Sequence, residues 1–116
     1  MALKLSSRQQ AQLALLQTLP PKFQRIHNIV EQMSTLRADE SVVRSLARLL
    51  DEIKGNASAL SLSGIAETAG IMGTMVRRGG GVQVKVRGLR ELLGSLKTNY
   101  DGALRSASTP EEEAVE

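Results

Sequence analysis

The chain has 116 residues, a formal net charge of +3, 41% hydrophobic and 23% charged residues, and only 2% aromatic ones. That length holds one domain with one core, and with one Phe, one Tyr and no Trp there is no aromatic platform for stacking single-stranded nucleic acid. Zero cysteines exclude disulfide frameworks, thiol catalysis and cysteine-based zinc sites, and fit a reducing, cytoplasmic setting.

Apolar residues recur at steps of three and four, the period of amphipathic helices rather than of strands. A first short helix opens at Ser6 or Ser7, with Ser7 and Gln10 spaced as a capping box, and runs through Leu13, Leu15 and Leu16 to Thr18. Leu19-Pro20-Pro21 stops it, and the two prolines pre-set the first turn of a second helix. That helix aligns Phe23, Ile26, Ile29, Val30 and Met33 on one face and is expected to end near Ala38. A third opens at Asp39 to Ser41, where acids suit a helix N-terminus, and points Val42, Leu46, Leu49, Ile53, Ala57 and Leu60 inward. The fourth spans Ser63 to Arg78 with Ile65, Ala69, Met72 and Val76 inside, and Gly70 and Gly73 permit close helix approach. Gly79-Gly80-Gly81 ends it. The last helix carries Val82, Val86, Leu89, Leu93, Leu96, Tyr100 and Ala103 in a sustained heptad, although Val82-Gln83-Val84-Lys85-Val86 alternates as a strand would.

The expected fold is all-α: an antiparallel four-helix bundle over residues 20–106, with an additional N-terminal helix over 1–19 packing on it. Residues 107–116 hold four Glu and no base, and read as a disordered acidic tail. Without them the body is +7, because 15 bases then face 8 acids. A basic body suits a polyanion or a protein with an acidic pocket. No apolar run approaches the length of a membrane span, and no clustered His or carboxylates outside the tail suggest a metal or cofactor site.

On the third helix, Asp51 lies beside the apolar stripe and is surrounded by small residues: Ala47 one turn before, Gly55 one turn after and Ser58 beyond. Gly55 in mid-helix costs about 1 kcal/mol against Ala, which makes sense where something approaches the backbone. Arg44, Arg48 and Lys54 flank the carboxylate with positive charge.

The stretch Leu46 to Leu60 resembles the signature of histidine-containing phosphotransfer domains, His-x-Leu-Lys-Gly-Ser/Ala followed by Leu-Gly. Ile53, Lys54, Gly55, Ala57 and Leu60 match in order, and Ile65-Ala66-Glu67 falls where the family commonly has Leu-Ala-Glu. Asp51 stands at the phosphoacceptor position, and Ser61 replaces the family's usual Gly. An imidazole accepts and returns a phosphoryl group, whereas a lone helical carboxylate lacks the metal-binding acids needed to form an acyl phosphate. The resemblance therefore implies a non-catalytic member, not an enzyme and without a cofactor. It would dock on a response-regulator receiver domain or a histidine kinase through Arg44, Ala47, Arg48, Asp51, Lys54, Gly55 and Ser58. It would modulate signalling without relaying phosphate.

Two other readings come from the residues. His27, the single histidine, would have to replace the missing acceptor in an active phosphotransfer protein, yet it has no Lys at +3 and no Gly at +4 and reads as a half-buried boundary residue. Arg77, Arg78, Lys85, Arg87 and Arg90 gather around the glycines as a basic patch for nucleic acid, the weaker partner given the missing aromatics. Oligomeric state is not encoded in any pattern found.

Overall fold

A computed structural model describes residues 4–110. Five helices follow one another: α1 (Ser7–Leu16), α2 (Leu19–Ser34), α3 (Glu40–Ala59), α4 (Ser63–Arg77) and α5 (Val82–Ser108). The architecture is all-α, as the periodicity predicts. α2, α3, α4 and α5 pack in a ring in which α3 lies most extensively on α4 and α5 closes against both α4 and α2, while α1 lies across α5 and α2. The molecule is a rod of 56 × 22 × 19 Å.

The core follows the heptad of α5, with Val86, Leu89, Leu93 and Leu96 buried against Ile26, Val30, Leu46, Leu50, Ile53, Ile65 and Met72. Phe23 and Tyr100, the whole aromatic complement, meet edge to face between α2 and α5 with ring centroids 5.4 Å apart. α5 continues to Ser108 and buries Ala107, one heptad step beyond Tyr100. The segment read as a tail from residue 107 therefore starts too early by at least these two residues, and 111–116 lie outside the described residues. At the other end of α5, the alternating valines cannot all turn inward on a helical period: Val86 is buried, Val82 is partly out and Val84 is 73% exposed.

α1 is set one residue earlier than Ser7 and Gln10 suggest. Ser6 is the N-cap, its hydroxyl accepting from the Gln9 amide at 3.0 Å while the Gln9 side chain accepts from the Ser6 amide at 2.9 Å. The shift turns Gln9, Gln12 and Leu16 inward. The Gln9 side-chain amide donates to the carbonyls of Ser106 and Thr109, and that of Gln12 to the carbonyl of Leu60. Two glutamines of α1 thus satisfy acceptors at the C-terminal ends of α5 and α3, groups that a helix cannot satisfy internally.

Both α2 and α3 end in the same left-handed cap without glycine. Leu36 has φ 59° and Ser61 φ 60°. After α3, the Ser61 and Leu62 amides donate back to Ser58 and Ala57; after α2, the Leu36 and Arg37 amides donate back to Met33 and Gln32. At α3 the cap buries Leu62, whereas at α2 it leaves Leu36 75% exposed.

Candidate functional site

The site residues fall on the outer side of α3 where it borders α4. With 100° per residue, positions 44, 47, 48, 51, 54, 55 and 58 occupy one broad face of the helix. Arg44, Arg48, Asp51, Lys54, Gly55 and Ser58 are exposed, as expected. Ala47 is not: it is 6% exposed. The apolar stripe of α3 is wider than the sequence steps imply, because α3 packs on α2 and on α4 at once, and Ala47 and Leu50 supply the α4 side. Ala47 forms the floor of a hollow of about 360 Å³ whose walls include Arg44, Arg48, Val76 and Arg77.

Arg77 of α4 forms a two-point ion pair with Asp51, one arm at 3.2 Å and the other closer. The geometry follows from the hairpin. α3 and α4 run antiparallel, so Gly73 lies against Leu50 and Asp51. Arg77, one turn further, leans back toward the helix N-terminus over Gly73, where an added Cβ would sit 3.3 Å from a guanidinium nitrogen. The missing side chain of Gly73 opens the lane through which Arg77 reaches the carboxylate. The hydrogen bond from Arg77 holds the Asp51 carboxyl below its ordinary range, and the guanidinium is raised in turn.

Neither Arg48 nor Lys54 bonds to Asp51, although both stand three residues from it; Lys54 adds only a longer-range charge that helps to lower the carboxyl. The Lys54 stem instead lies over Gly70 of α4. Arg44, Arg48 and Lys54 form no ion pair among the described residues. Gly55 faces open space, with nothing within 4 Å of the position a Cβ would take. Its role is therefore not close packing inside the bundle.

His27 is exposed on α2 rather than half-buried, away from the α3 and α4 face. The basic cluster around the glycines is divided by local pairing: Arg77 binds Asp51, Arg90 holds Glu31 at 2.8 Å, and the Lys85 ammonium points to the Val76 carbonyl. Arg78 and Arg87 are the members that neither pair with an acid nor turn to a backbone group among the described residues.

Sequence reasoning missed Arg77 as the partner of Asp51, placing it only in the basic patch around the glycines. The signal was present in register: once the turn is placed at Ser61, Asp51 and Gly73 stand opposite, and an Arg one turn beyond Gly73 reaches back to the acid. Among the described residues no group of three or more His, Asp or Glu side chains could hold a metal ion, and no helix is long and apolar enough to cross a membrane.

No family model matches the chain, and neither the curated proteins nor the solved structures contain a significant match to it.

Proposed function

We propose that the protein is a non-catalytic, phosphotransfer-like module that docks on a response-regulator receiver domain and modulates its signalling without carrying phosphate. The observation that carries this reading is the internal neutralisation of Asp51 by Arg77. The carboxylate at the acceptor position would repel an acidic receiver pocket; bound by its own guanidinium, it leaves Arg44, Arg48 and Lys54 to set the sign of the face. Open Gly55 lets a partner backbone approach between them. The left-handed Ser61 supports the same reading, since the resembled family places Gly there, the residue that takes this conformation at least cost. Docking on a histidine kinase remains the narrower variant, for which charge alone gives no separate support.

The test substitutes Gly55→Arg. The side chain enters open solvent and gains helix propensity, so circular dichroism stays unchanged while affinity for purified receiver domains of the native organism falls at least about tenfold, a loss of about 1.4 kcal/mol. Binding that is absent in the parent protein, or equal in the two, overturns the reading.

A further inference from the structure

We infer that a second surface, over α4 and the Gly79–Gly81 connection, receives an acidic amphipathic helix of a protein partner. Two hollows lie there, of about 460 Å³ and 190 Å³, and they share Met75 and Arg78. The first continues to Lys54, Glu67 and Ile71, the second to Val84 and Lys85. Ile71 and Val84 are two of the four large apolar side chains left exposed among the described residues, at 47% and 73%. Neither has a structural reason to be apolar, and β-branched residues are indifferent helix formers on a wet face.

Charge selects the occupant. Lys54, Arg78 and Lys85 rim the groove, Glu67 is its one acid, and none of the four is ion-paired among the described residues. A second copy meeting it patch to patch would bring the same bases against them. An anionic membrane meets protrusions rather than hollows. A helix with apolar residues on one side and carboxylates beside them matches both the concavity and the sign. Length agrees: Glu67 to Arg78 is eleven steps along α4, or about 16 Å, which three turns of a bound helix cover. The surface shares Lys54 with the α3 face but is centred on α4 and the glycine connection rather than on Gly55, and the inference does not depend on receiver docking.

The probe is a displayed library of helical peptides about four turns long, selected on the full chain. The enriched peptides should carry apolar residues at helical spacing beside Asp or Glu. Their affinity should fall at least about tenfold with Val84→Asp and with Arg78→Glu, and should survive Gly55→Arg. Both altered residues are exposed, so circular dichroism should show the fold intact. Failure to enrich any peptide that depends on Val84 and Arg78 overturns the inference, as does loss of binding with Gly55→Arg. Phosphatidylserine vesicles that bind the parent and not Val84→Asp would assign the surface to a membrane instead. A dimer in sedimentation that Val84→Asp dissociates would assign it to a second copy.

Discussion

Side chains reach helix-end carbonyls at both ends of the rod, Gln83 on Ser34 and Lys85 on Val76 at one of them, but the two ends differ in what they bury. At the end built from α1, the Ser61 turn and the C-terminus of α5, polar side chains are drawn inward to close helix ends: Gln9 is 2% exposed and still makes three hydrogen bonds. At the end built from the C-terminus of α2, the glycine connection and the start of α5, apolar side chains are left outside: Leu36, Val82 and Val84. α5 starts there on Gly81 with no side-chain cap. Local preference and global packing agree at the first end and conflict at the second, and such conflict is where a binding surface is expected.

The largest effect should come from breaking the braced end. Gln9→Ala removes the donor to Ser106 and Thr109 and the acceptor for the Ser6 amide, leaving polar groups unmatched at a buried position. It should cost about 1–3 kcal/mol, seen as a lower urea midpoint. An unchanged midpoint would mean that α1 is decoration rather than brace.

The open end should respond with the opposite sign. Leu36→Gly relieves a left-handed backbone at a residue that buries little, so stability should rise by about 1 kcal/mol. A loss would show that Leu36 packs on something in the free protein and that the contrast between the ends is smaller than described.

The smallest effect belongs to Asp51→Asn, midway between the ends. The folded carboxyl titrates below its unfolded value, so its contribution is present above the ordinary Asp range, about 4, and is lost as pH falls through the lowered value. Both partners are well exposed, and the difference from the parent protein should be slight at neutral pH and gone in acid. Urea midpoints at the two pH values measure it; a difference that grows in acid would contradict the pairing with Arg77.

Much of the bundle was legible because heptad spacing survives any packing partner: α5 could be read from Val86, Leu89, Leu93 and Leu96 alone. Helix starts were less so. Ser6 and Ser7 are equivalent locally, and the choice between Gln9 and Gln10 is made by carbonyls about a hundred residues away. Ala47 was misplaced because a helix touching two neighbours needs a broader stripe than one touching a single partner. The candidate face was otherwise readable from α3, but its decisive contact was not. Arg77 belongs to another helix, and only the hairpin register connects the two.

The bonds from Gln9 to Ser106 and Thr109 span 97 and 100 residues of chain. Read as a timetable, they mean that α1 leaves the ribosome long before its acceptors exist. At about 5–20 residues per second the wait is about 5–20 s, while helices form within about a microsecond. Gln9 spends that interval without the carbonyls it fits, and Gln12 about half of it, until Leu60 is made. The brace is thus the last piece of the bundle to set, and α1 is the element that waits longest for its partners.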